Sequence, residues 1–64
     1  MHRHLETEVI GQMKFGLDDL FADSGFIYRI VSEDGKHYIG TRDWVSTRIN
    51  LTIEKGMVVK ATIG

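Results

Sequence analysis

Gly40-Thr41-Arg42-Asp43-Trp44-Val45-Ser46-Thr47-Arg48-Ile49-Asn50 starts as a polar stretch and ends inside a strand. Thr41 and Asp43 stand two positions apart. On an extended segment their side chains therefore point to one side, because strand alternation has period two. Arg42, between them, points the other way, toward solvent. Arg48 follows five positions after Asp43. An arginine carries its donors in a fixed fork and can hold two acceptors at once. The pattern predicts an extended loop over 41–44 with Arg42 outward, two inward acceptors and Arg48 bracing from behind. The same residues also read as ordinary charges in a surface turn, and spacing alone does not separate the two readings.

Downstream, Arg48-Ile49-Asn50-Leu51-Thr52-Ile53 alternates polar and apolar, as a half-buried strand does. Ile49, Leu51 and Ile53 take the core face; Arg48, Asn50 and Thr52 take the other. Arg48 and Asn50 thus lie side by side where the loop must fold over. Glu54-Lys55-Gly56 is a tight turn, and residues 57–63 form a last strand. Upstream, Phe26-Ile27-Tyr28-Arg29-Ile30-Val31 is aromatic or β-branched except at Arg29, which predicts an inner strand covered by a helix. Asp34-Gly35 is a hairpin signal. His37, Tyr38 and Ile39 then either pair back with residues 26–31 or form the ascending arm of the loop. His37 is read as a surface residue.

Met13, Leu17, Leu20 and Phe21 recur at helical spacing, so a short amphipathic helix is expected over 13–23. Asp18 and Asp19 suit the positive end of its dipole. Ser24-Gly25 stops it, with Gly25 as a left-handed cap. Adjacent helix positions diverge by about a third of a turn, so the two aspartates are not a catalytic pair. The core is expected to centre on Leu20, Phe21, Ile30, Leu51 and Ile53. Residues 1–8 read as a polar, flexible arm, on which His2 and His4 lack a third metal ligand.

The chain has 64 residues and no cysteine, so it is read as one domain, 1–64, without a disulfide or a cysteine-based zinc site. Its net charge of -1 offers no footprint for nucleic acid or an acidic membrane. No apolar run approaches spanning length, and the first residues lack the apolar core of a signal peptide. As written the chain reads as cytoplasmic, or as secreted if a precursor segment has been removed. No cofactor motif, nucleophile context or acid–base pair recommends an enzyme.

The stretch Thr41-Arg42-Asp43-Trp44-Val45-Ser46-Thr47-Arg48-Ile49-Asn50-Leu51-Thr52-Ile53-Glu54 resembles the reactive-site region of the potato inhibitor I superfamily of serine protease inhibitors. That superfamily includes the plant chymotrypsin and subtilisin inhibitors, the eglins, and bacterial and fungal elastase-inhibitor-like relatives. The shared pattern is Thr, a variable residue, Asp or Glu, an aromatic, three variable residues, Arg, then an alternating strand. Gly11, the helix, the apolar strand, the last hairpin and Gly64 fall in family order.

The resemblance implies an α+β fold, one short helix packed on a small mixed β-sheet with an exposed protease-binding loop. It implies a reactive loop of Gly40, Thr41, Arg42, Asp43, Trp44 and Val45. Arg42 would be the primary specificity residue, and Arg42–Asp43 the scissile bond. Arg48 and Asn50 would brace the loop. An arginine at the specificity position implies trypsin-like targets with an acidic pocket, with subtilisin-like enzymes as secondary targets. No metal or cofactor is implied, and a monomer or weak oligomer is expected. The chain departs from the pattern at Val45, where arginine is frequent, and at Thr47, where aspartate is frequent. No proline follows the loop, and the N-terminal tryptophan-proline pair is missing. Asn50 stands where plant members carry a second arginine, and it is too short to reach the loop as an arginine would. Two other readings fit the sequence. One is a non-inhibitory protein-interaction module on the same fold. The other is a small β-barrel nucleic-acid binder with Phe26, Tyr28 and Trp44 as stacking residues.

Overall fold

The alternating run becomes strand β3, Arg48–Glu54, which has a partner on each side. On one side it pairs in parallel with β1, Ile27–Glu33, in the register Ile27↔Arg48 and Arg29↔Asn50. On the other it pairs antiparallel with β4, Met57–Ile63. A two-residue stub, β2 at Lys36–His37, completes the order β2-β1-β3-β4. This is the computed structural model of the chain, and it describes residues 5–38, 40 and 43–64. The sheet is mixed and the fold α+β, the class that the resemblance implies. It is open, with β2 and β4 at its edges, so the small-barrel reading does not hold.

Asp34 and Gly35 both take positive φ, 51° and 82°, as a tight hairpin turn requires. The hairpin is shorter than the one weighed from sequence. β2 pairs with Ser32 and Glu33, at the far end of β1. Beyond it Tyr38 N–H donates to the Val31 carbonyl at 2.9 Å, so the pairing reaches the last residue of 26–31, and Ile39 lies outside the described residues. Lys55 and Gly56 repeat the positive-φ pair between β3 and β4. The backbone N–H of Lys55 donates to Asp34 Oδ1 at 2.7 Å, which ties the two turns together.

The helical region is more broken than its periodicity suggests. A single 3-10 turn, Lys14–Gly16, leads into a helix of five residues, Leu17–Phe21. Gly16 stands at the junction and offers no capping side chain. At the other end Asp23, not only Gly25, takes the left-handed conformation, with φ 57°. Ser24 Oγ donates to the Phe21 carbonyl at 2.8 Å, which satisfies an orphan group of the last turn. The expectation of a flexible arm over 1–8 fails at 5–8. Leu5–Glu8 forms a first helix, here α1, with Leu17–Phe21 as α2. Leu5 is fully buried, and α1 packs against β4. The backbone between the helices is then stitched to that strand, with Gly11 N–H donating to the Val58 carbonyl at 2.8 Å and Val58 N–H to the Gln12 carbonyl at 2.9 Å.

Ile49, Leu51 and Ile53, from the inner face of β3, meet Leu5, Val9, Leu17, Phe21 and Val58 in the buried core. Leu20 and Ile30, expected at its centre, are half-buried and pack at its margin. The shortened helix turns Leu17 rather than Leu20 inward. β1 is likewise covered on one face only, which leaves Ile27 exposed and sets Arg29 on the open side with Asn50. That open face carries the loop.

Candidate functional site

β1 runs parallel to β3, so the chain that leaves β1 must cross over before it can enter β3. The crossover is the segment between β2 and β3, and it contains the whole predicted loop. Thr41 and Arg42 lie outside the described residues; Gly40, Asp43, Trp44 and Val45 lie within them. Asp43 and Trp44 are exposed, and Val45 is half-buried. A turn at Ser46-Thr47, closed by Arg48 N–H to the Val45 carbonyl at 3.2 Å, returns the chain to β3.

Arg48 begins β3, and its side chain is only 12% exposed. Its Nη2 donates to the Asp43 backbone carbonyl at 2.8 Å, and its Nε to the Gly64 carbonyl at 3.0 Å. The Asp43 carboxylate, 59% exposed, approaches Nη1 only to 3.8 Å. Arg48 thus contacts the expected residue, but chiefly through the main chain. The guanidinium stands 2.8 Å from the carbonyl and farther from the carboxylate, so the main chain takes the closer contact. The Gly64 N–H in turn donates to the Arg48 carbonyl at 2.9 Å, so Arg48 and Gly64 are joined twice.

Gly64 is buried, with φ +151°, a conformation that L side chains rarely adopt. A Cβ there would stand 3.2 Å from Asn50 Nδ2 and 3.3 Å from Trp44 Cδ1. Glycine at this position therefore lets the indole of Trp44 and the amide of Asn50 close over the last strand. Trp44 is nevertheless 70% exposed, a large aromatic surface beside the loop.

Asn50 is placed on the loop face but acts on a neighbour. Its Oδ1 accepts from Nε of Arg29 at 3.0 Å. Arg29, the one charged residue in the run 26–31, comes within reach of the loop's other shoulder. A Cβ on Gly40 would stand 3.3 Å from Arg29 Cζ and Nη1. Sequence reasoning missed Arg29 and the packing role of Gly64. The available signal at Arg29 was a cation in an otherwise apolar strand, where burial demands a partner.

The other groups weighed from sequence have different occupations. Tyr28 Oη donates to Asp18 Oδ1 at 2.6 Å, and its ring lies against Phe21 with centroids 4.9 Å apart. That hydrogen bond, with burial and the Asp18 charge, raises the Tyr28 phenol above its usual value. Phe26 packs on the core margin. Lys14 pairs with Glu33 at 2.8 Å, fastening the 3-10 turn to the end of β1. His2 and His4 lie outside the described residues. Among the described residues no three His, Cys, Asp or Glu side chains gather as metal ligands, and no helix is long and apolar enough to cross a membrane.

Comparison of the chain with family models, curated proteins and solved structures finds no match.

Proposed function

We propose that this chain inhibits serine proteases by offering a substrate-like loop, Gly40 to Val45, with Arg42 in the enzyme's specificity pocket. The scissile bond is Arg42–Asp43. The observation that carries this reading is the hold of Arg48 on the Asp43 carbonyl, with the same guanidinium fixed to Gly64. A segment in a parallel crossover needs no such anchor merely to connect two strands. An anchored backbone beside an exposed polar stretch suits a segment that must keep its shape in an enzyme's cleft.

A loop already ordered loses little conformational entropy on docking, so more of the contact energy appears as affinity. Interfaces of this kind bury about 800 Å² per partner and include very tight complexes. Trypsin-like enzymes are the expected targets, because an arginine side chain calls for an acidic pocket. Subtilisin-like enzymes are secondary ones.

The test is titration of trypsin with the intact chain, with the products read by mass spectrometry. The expected outcome is stoichiometric inhibition with slow cleavage confined to Arg42–Asp43. Arg42→Leu should weaken inhibition at least about a hundredfold, the scale of losing a desolvated charge contact at an interface. Rapid cleavage at the chain's other Lys and Arg positions, without inhibition, would show that the loop is not an inhibitor's. A non-inhibitory interaction module would then be the better account.

A further inference from the structure

The loop has a downstream anchor in Arg48; the geometry points to an upstream one in Arg29, supplied by the neighbouring parallel strand. Arg29 and Asn50 are direct register partners in β1 and β3. Their side chains therefore stand on the same face of the sheet, one strand apart. Asn50 Oδ1 takes the Nε proton of Arg29 at 3.0 Å. With Nε engaged, the planar fork is fixed, and its two terminal nitrogens remain directed beyond Asn50. What lies there is Gly40. Its backbone approaches so closely that a Cβ would stand 3.3 Å from both Cζ and Nη1, and 3.6 Å from Nη2. Glycine at this position leaves space for the guanidinium.

Arg29 is thus a positioning residue, and Asn50 is the hydrogen-bond acceptor that aims it. The two arginines divide the loop between them. Arg29 bears on Gly40, before the Arg42–Asp43 bond, and Arg48 bears on Asp43, after it. Each half of a cleaved loop would keep its own anchor on the sheet, so the new amine and carboxylate would stay near each other and the peptide bond could re-form. This purpose rests on the inhibitor reading. The clamp itself does not, and it is testable without a protease.

The experiment compares Arg29→Ala, Arg29→Lys and Asn50→Ala with the parent by ¹⁵N relaxation, and then by trypsin digestion of each folded variant. Rigid backbone has an order parameter near 0.85, and flexible backbone falls below about 0.6. The Gly40 amide is expected to change from the first class toward the second in Arg29→Ala, with a smaller change in Asn50→Ala. The core strands should keep their values. Arg29→Lys keeps the charge and most of the stem but loses the fork, so it too should loosen Gly40. It also serves if the alanine variant does not fold. An unchanged Gly40 in folded Arg29→Lys and Asn50→Ala overturns the clamp, whatever the proteases do. In the digestion arm, the fraction cleaved at Arg42–Asp43 at equilibrium should rise at least about fivefold in the loosened variants. Gly40 loosening with no trypsin inhibition by the parent would support the clamp and reject the inhibitor reading, so the two failures are distinct.

Discussion

Arg48 meets Asp43 chiefly at its backbone carbonyl, at 2.8 Å, with the carboxylate farther off at 3.8 Å. An internal peptide carbonyl does not titrate, so that bond stays in place at acid pH, where a carboxylate brace would be protonated and lost. Hydrogen bonds to charged groups contribute about 1.5–3 kcal/mol each. Arg48→Ala should leave the sheet folded by circular dichroism, because the side chain stands off the core. It should speed trypsin cleavage at Arg42–Asp43 at least about tenfold, or about 1.4 kcal/mol in the barrier, as followed by mass spectrometry. An unchanged time course in the folded variant would remove Arg48 from the bracing role. Arg48 was legible in the sequence because its spacing from Asp43 and its place at a strand start both pointed to the loop. Arg29 was not. It sits 21 residues from Asn50, and no local pattern reveals which strand will lie beside which. Its role appears only once β1 and β3 are placed in parallel register.

At the scale of elements, the short helix is held less by its own propensity than by what it touches. Five residues are far too few for a stable isolated helix, and Gly16 gives no side-chain cap. Leu17 and Phe21 are buried against the sheet, and Tyr28 of β1 reaches Asp18 across the gap. That last contact makes alkaline stability testable. The folded Tyr28 pKa is raised, first by the hydrogen bond to Asp18, then by burial and the Asp18 charge. Its stabilisation is therefore fully present below the ordinary phenol value of 10.0 and is lost as the pH rises through the higher folded value. Thermal midpoints measured from neutral pH to beyond that window should fall in the parent, and fall less steeply in Tyr28→Phe. Parallel curves for the two proteins would show that the phenol does not link helix to strand. Periodicity placed this helix correctly but made it too long. It also missed α1, because Leu5 and Val9 are two apolar residues in a polar stretch, and only the tertiary fold brings both inward. The strands were read more faithfully. Their alternation and their Asp-Gly and Lys-Gly turns are local signals, and the sheet obeys them.

For the molecule as a whole, a chain of 64 residues without cysteine depends on one small core. Leu51 sits at its middle, fully buried on the strand that has a partner on each side. Leu51→Ala should cost about 2–5 kcal/mol, measured by denaturant titration. That is comparable with the few kcal/mol such a domain has to spare, so the variant is expected to be largely unfolded at 37 °C. A midpoint equal to the parent's would mean that another face of β3 is buried. The central pairing of β1 with β3 also has a kinetic consequence. Its partners are about twenty positions apart in the chain, so a wide loop must close before either strand gains its neighbour. Both arginines rise from those two strands. During refolding they cannot be aimed until that nonlocal step is complete, so a half-folded chain has no clamp and is ordinary food for a protease. Under the proposed function, the protein becomes resistant only in the same event that makes it native, and a chain that folds wrongly is removed by the enzymes that the native one is proposed to restrain.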